Sequence, residues 1–302
     1  MDDFGLSFHI DAGAFRGRMA RLDATVTRVL AGHGYPHELS LQLAEALVLA
    51  ALLAGNLKYD GVFTLQTKGD GPVSMMVVDV TSQGHVRACA GHDEEAFATA
   101  LKKLEKAGVT PSLPHLLGAG HLAFTVDQGA HTERYQGIVE LLGMNMTQCV
   151  QRYFNMSEQI ETSFRLAIQP DGEGWRAAGI MLQRLPTQGG GPILLAEDAD
   201  EAWRTGTILL ASAKDEELLS LELPAEHLLT RLFHGEALSV GPRHPLEARC
   251  RCSAEKVANT LKSFPRAEVE SMKDNGLVSV ICQFCKTSYD FSDSALDDLY
   301  GS

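Results

Sequence analysis

A chain of 302 residues, 45% of them hydrophobic, holds enough apolar material for two compact units, or one large unit and a small one, which excludes wholesale disorder. Its formal net charge of −13 makes it a poor polyanion binder, so nucleic acid is not expected as a partner. The opening MDDFGLSFHI lacks the basic and apolar regions of a signal peptide, and no uninterrupted apolar run reaches the roughly 18 residues a membrane span needs, so no membrane partner is expected.

In chain order, the apolar spacing of Leu39, Leu43 and Leu47 predicts a helix over Pro36–Asn56, with Ala44–Leu53 as its buried centre. Strands follow at Val62–Gln66, Val73–Val80 and His85–Ala90, separated by the turn signals Gly69–Pro72 and Ser82–Gly84. Ala96–Lys106 reads as a short helix, and Leu122–Val126 and Glu133–Val139 as strands flanking Gly129. Thr147–Glu158 reads as a helix, then Phe164–Gln169 and Trp175–Leu185 as a hairpin around Asp171–Gly174. Grouped strands with interspersed helices imply an α+β fold rather than regular βαβ alternation.

Three consecutive glycines in Thr187–Pro192 mark a candidate boundary. From Leu195 to Ser239 the pattern is helical and acidic, with ten Asp and Glu against Arg204, Lys214 and Arg231. Its leucines predict amphipathic helices that need a partner surface. Gly241-Pro242 and Pro245 suggest a second boundary, after which come a helix, Ala254–Ser263, and a strand, Val278–Cys282. The expected organisation is a mixed α/β domain over 1–186, a helical linker over 187–245, a small domain over 246–291, and an acidic tail over 292–302; the Asp-rich stretch Asp290–Asp298, which straddles the last boundary, reads as a solvated helix start.

The small domain carries Cys250-Arg251-Cys252 and, after 29 intervening residues, Cys282-Gln283-Phe284-Cys285. A cytosolic location is expected, and there clustered cysteines point to metal or redox chemistry rather than structural disulfides. Two close pairs on separate loops suit one tetrahedral zinc ion, and a domain this small needs such a staple. Arg249, Arg251, Lys256 and Lys286 would offset the net charge of about −2 on a zinc ion held by four thiolates. The competing reading is an inert structural zinc site, as most four-thiolate sites are. Against inertness, thiolates are the oxidant-reactive form, and each has a near neighbour able to close a disulfide. Losing all four ligands would unfold the domain and deprive the adjacent linker of any surface it docks on.

Elsewhere the motifs are weak. Cys89 and Cys149 read as ordinary buried thiols. Gly118–Ala123 matches a loose GxGxxA, but a strand rather than a helix follows it. No P-loop or serine-hydrolase elbow occurs, and no catalytic or cofactor-binding residue is assigned. His33 and His37 straddle a turn and helix start; Glu45 is either a buried acid or, as the preferred reading, a solvated carboxylate at the edge of its helix face.

With the cysteines placed, the chain resembles the heat-shock protein 33 family of bacterial redox-regulated chaperones. The resemblance lies in CxC, a gap of about thirty, then CxxC followed by Tyr289-Asp290-Phe291. It extends to Arg16-Gly17, Lys58–Gly61, Gln66–Pro72 (QTKGDGP), Glu133–Gly137 (ERYQG), Tyr153-Phe154, Ser157–Gln159, Gly179–Pro186 (GIMLQRLP), Leu223-Pro224 and Arg231–His234. It implies an ATP-independent holdase, not an enzyme, with Cys250, Cys252, Cys282 and Cys285 as the ligands of one zinc ion while reduced and inactive. Oxidation would form disulfides Cys250–Cys252 and Cys282–Cys285, release zinc, unfold the terminal domain and linker, and produce a dimer that binds unfolding clients. Lys286, Ala88-Cys89 and Glu161 depart from the usual family residues; they bear on local turn geometry and oxidation rate. Two other readings compete. A zinc ribbon binding RNA or protein has only a weak basic excess behind it, and an oxidoreductase would need its CxxC at a helix N-terminus.

Overall fold

The structure, a computed structural model, describes residues 3–10, 15–55, 61–128, 134–185 and 196–301. The predicted boundary at Thr187–Pro192, the turn residue Gly129 and the start of the predicted strand at Glu133 lie outside these residues. The chain forms two compact units, Met1–Ala248 and Arg249–Ser302.

In the larger unit the elements run β1 (Phe4–Ile10), β2 (Phe15–Leu22), α1 (Ala24–Ala31), α2 (His37–Ala54), β3 (Val62–Gly69), β4 (Val73–Thr81), β5 (His85–His92), α3 (Glu94–Ala107), α4 (Leu113–Leu117), β6 (Gly120–Asp127) and β7 (Tyr135–Glu140). They continue with α5 (Met146–Tyr153), a π-helical turn (Phe154–Glu158), β8 (Thr162–Asp171), β9 (Gly174–Arg184), α6 (Ala196–Ala211), α7 (Asp215–Leu218), α8 (Ala225–Leu232), β10 (Ser239–Pro245) and β11 (Glu247–Ala248). One antiparallel sheet has the order β10-β1-β2-β9-β8. The other has the order β11-β5-β4-β3-β6-β7 and is antiparallel except where β11 joins β5. The α+β class read from the grouped strands is the class observed.

Helix α2 packs against strands of both sheets. By length and composition its 18 residues pass as a membrane span, which revises the expectation that no stretch is long enough, but 72% of it is buried within the protein. It is therefore a core helix, apolar on every side because a sheet faces it on each side. Gly179 on β9 permits the close approach: a Cβ there would stand 2.7 Å from Val48 Cγ1. Alternation along β9 divides two cores. Ala177 and Met181 join the α2 core, whereas Ala178, Ile180 and Leu182 pack on the other face with Leu210, Leu218, Leu228 and Phe233 from the α6–α8 layer. The boundary expected at Gly241-Pro242 and Pro245 is instead strand β10. It lies at the sheet edge, where a missing proline N–H costs no ladder bond.

The smaller unit contains α9 (Ala254–Leu261), α10 (Arg266–Ser271), the hairpin β12 (Val278–Ile281) and β13 (Ser288–Phe291), and α11 (Asp293–Tyr300). Its core centres on four buried side chains, Leu261, Val269, Val278 and Leu296. The Asp-rich end is thus a helix with one face anchored. Ser292 caps it through Ala295 N, and Tyr300 Oη donates to Leu261 O at 2.7 Å.

Candidate metal centre

Both cysteine pairs are placed by short backbone devices. Cys250 and Cys252 lie on the extended segment before α9, which Ser253 caps through Lys256 N at 3.2 Å. Cys282 leaves β12, and the chain turns back into β13 through Lys286 N to Cys282 O at 2.8 Å and Cys282 N to Thr287 O at 3.0 Å. The turn requires Lys286 at φ 56°, the left-handed region that glycine enters most readily. Backbone N–H groups of Phe284 and Cys285 are directed at the Cys282 sulfur.

The four sulfurs lie within 4.8 Å of one another. Cys250 Sγ is 3.7 Å from Cys282 Sγ, and Cys252 Sγ is 3.4 Å from Cys285 Sγ. Four sulfurs bound at about 2.3 Å to one ion stand about 3.8 Å apart at the corners of a tetrahedron, so this donor set fits a tetrahedral thiophilic cation such as zinc. Electrostatics agree. Burial pushes the Cys252 thiol up to about 12. Burial also acts upward on Cys285, but hydrogen bonds from Thr287 and the neighbouring thiols outweigh it and bring that group down to about 6. Crowded sulfurs resist ionising together unless a cation compensates them, and a coordinating cation deprotonates its thiols outright.

Two neighbours went unassigned in the sequence. Tyr289 Oη donates to Cys252 Sγ at 3.1 Å, and Thr287 Oγ1 lies 3.2 Å from Cys285 Sγ. Only the hairpin geometry brings Tyr289 back over the first pair. Of the basic residues expected to offset charge, Lys256 donates to Arg251 O at 2.8 Å and Lys286 reaches Gln283 Oε1 at 3.4 Å.

Among the described residues no other group of three or more His, Cys, Asp or Glu side chains offers converging ligand atoms. His33 stacks on Tyr35 and His37 packs against Trp175, which separates the two histidines. Gly118 precedes β6, so the glycine motif opens a strand, as expected. Cys89 and Cys149 are buried, and burial raises Cys149 to about 11. Glu45 corrects the expectation of a solvated carboxylate. It is 8% exposed and its Oε1 accepts from Thr147 N and Oγ1 at 2.8 and 2.5 Å. The N-terminus of α5 packs over α2 at that position and leaves it no solvated edge there.

A family model described as "Hsp33 protein" matches residues 3–292. Curated relatives named "33 kDa chaperonin" include one from Ectopseudomonas mendocina, 35% identical over 99% of this chain and 96% of its own length. Another, from Azotobacter vinelandii, is 37% identical over 99% of this chain and 94% of its own. Among solved structures, the 33 kDa chaperonin (heat shock protein 33 homolog) of Thermotoga maritima shares the fold with a TM-score of 0.79, at 22% identity, over 99% of this chain and 98% of that one.

Proposed function

The chain belongs to the Hsp33 family of chaperones, and from that premise we propose that it is a redox-regulated, ATP-independent holdase, silent while reduced and active once oxidised. The observation that carries this reading is the convergence of Cys250, Cys252, Cys282 and Cys285, which we take as the ligands of one zinc ion. Bound there, zinc holds the sulfurs as thiolates and contributes roughly 10–16 kcal/mol of apparent folding free energy to a unit with a very small core.

Oxidation acts on the thiolates themselves. One thiolate attacks peroxide, giving a sulfenic acid and hydroxide; a second thiolate then displaces hydroxide from that sulfur to close a disulfide. The two thiolates that form each disulfide pass two electrons to one peroxide, whose oxygens leave as two waters after protonation. The sulfurs nearest in space belong to different pairs, yet all four are within reach of one another. Once the unit loosens, the neighbours in sequence stay close to one another, and the family resemblance implies the pairs Cys250–Cys252 and Cys282–Cys285. No thiolate then remains to hold the metal, and the small unit, Arg249–Ser302, unfolds.

In this reading residues 187–245 form the linker, whose helical part, 196–238, melts in turn while β10 stays paired with β1, and residues 1–186 bind clients and dimerise. Helices α6–α8 cover Ile180, Leu182 and Phe8, and their departure bares that apolar face to unfolding proteins. The site of action is the cytoplasm. The test is zinc per chain before and after peroxide with mild heat, alongside light scattering of a thermally unfolding client. One zinc per reduced chain, its loss on oxidation and a simultaneous onset of aggregation suppression are expected. Oxidised, metal-free protein that fails to slow aggregation overturns the reading, and peptide mapping of the oxidised form checks the disulfide pairing.

A further inference from the structure

A cavity of about 410 Å³ opens in the larger unit where β2, β3, β6, β7, β9 and the π-helical turn converge. Its volume falls within the range of small-molecule sites. Phe63, Phe124 and Phe154 form its apolar walls. On one side lies Arg16, whose Nη2 donates to Gln183 Oε1 at 2.9 Å while its Nε is buried without a hydrogen-bond partner. Burial pushes the guanidinium pKa down, and no neighbouring acid among the described residues opposes it. Where no described acid compensates it, a part-buried permanent cation is costly, and the cost falls when an anion arrives.

The other side is a carboxylate held by two phenols. Glu158 Oε1 accepts from both Tyr135 Oη and Tyr153 Oη, and those hydroxyls are 2.9 Å apart. Two backbone irregularities build this cluster. The π-helical turn Phe154–Glu158 ends at Gln159, a non-glycine residue at φ 55°. Single π turns and left-handed non-glycine residues concentrate at functional sites. Gly137 on β7 supplies the space: a Cβ there would stand 2.0 Å from Tyr153 Oη. Arg16-Gly17, Tyr135–Gly137, Tyr153-Phe154, Ser157–Gln159 and Gln183 are all segments singled out in the sequence, and all lie outside the cysteine switch.

We infer that this cavity binds a small apolar carboxylate bearing a hydrogen-bond donor at its far end. The ligand's carboxylate pairs with Arg16, its apolar body lies against Phe63, Phe124 and Phe154, and its donor meets the Glu158 carboxylate. The site is separate from the cysteines, so it stands or falls independently of the redox switch.

The test uses the full-length reduced protein with para-hydroxyphenylacetate as probe and para-hydroxyphenylacetamide as its uncharged match, read by calorimetric titration and ligand-observed NMR. Saturable binding of one acid per chain is expected, with the amide weaker by about tenfold. Arg16→Gln should bring the acid down to the amide's affinity and leave the amide unaffected. Gly137→Ala, by displacing the Tyr153 phenol, should weaken both probes. Acid and amide binding alike, neither binding at millimolar concentration, or an Arg16→Gln variant that keeps the acid preference each overturns the inference. Should Arg16→Gln fail to fold, the acid–amide comparison on the unaltered chain decides.

Discussion

Arg21 offers the sharpest probe of the proposed linker. It stands on β2, 6% exposed, and its guanidinium reaches across to the α6–α8 layer. Nε donates to Leu218 O at 2.9 Å, Nη1 to Leu223 O at 2.6 Å and Nη2 to Glu217 O at 3.0 Å. One side chain of the sheet thus fastens three carbonyls at the end of α7 and in the approach to α8. A hydrogen bond from a charged donor contributes roughly 1.5–3 kcal/mol net. At the low end of that range the three together hold the layer down by about 4.5 kcal/mol, on the order of a thousandfold in its opening equilibrium. Arg21→Met keeps an apolar stem on the sheet and removes every donor. In the reduced, metal-loaded protein, amide hydrogen exchange over residues 215–233 should accelerate by up to that factor. Aggregation of an unfolding client should be suppressed without oxidant while zinc content is unchanged. Unaltered exchange would show that the clasp does not hold the layer. Faster exchange without suppression would show that the uncovered sheet face is not where clients bind.

Glu45 makes stability depend on pH. Burial raises its pKa above the ordinary carboxyl value of 4.5, with the Thr147 bonds opposing, so the folded state binds this proton more tightly than the unfolded state does. Its contribution is therefore fully present below the unfolded value and declines as pH rises through the raised folded value. Glu45→Gln, which keeps an acceptor for Thr147, should flatten that part of a plot of melting temperature against pH. Gly179→Ala should destabilise the larger unit by about 1–3 kcal/mol, read from the urea midpoint, because its Cβ would meet Val48. Lys286→Gly should relieve a left-handed backbone costing roughly 1 kcal/mol and raise the chelator concentration needed to strip the metal.

Local pattern made some of this architecture legible. The predicted helix over Pro36–Asn56 is α2, and the predicted strand and hairpin segments from Val62 onward became β3–β9, because each announces itself by periodicity and turn residues within its own span. The cysteine cluster was legible for the same reason: each pair is local, and four thiolates narrow the chemistry to one class of ion. What escaped depends on partners distant in sequence. β1 and β2 went unassigned before Pro36, although Phe4, Leu6, Phe8 and Ile10 alternate. β10 carries two prolines and becomes a strand only because β1 lies beside it. The predicted helix Thr147–Glu158 ends three-dimensionally as α5 plus a π turn, whose role appears only when Glu158 meets Tyr135 on β7.

The same packing explains why one helical layer rather than another could serve as the proposed movable cover. α2 lies between two sheets, with Leu43, Leu47, Val48 and Leu52 essentially inaccessible, so removing it would dismantle both. The α6–α8 layer touches one sheet face only, and Glu201, Arg204, Glu216 and Thr230 on it remain exposed. Local opening draws on segments with the least two-sided burial. The layer is also tethered at both ends, by β9 before it and by β10, which pairs with β1, after it. Melting residues 196–238 would therefore open a loop whose ends stay fixed in the sheet, leaving β1 covered along its edge and free to refold beneath its own returning helices. The two edges of the uncovered face differ: β10 carries Pro242 and Pro245, which lack the N–H an added strand would need, whereas the outer side of β8 is unpaired among the described residues and loses the α6 and α7 contacts when the layer departs.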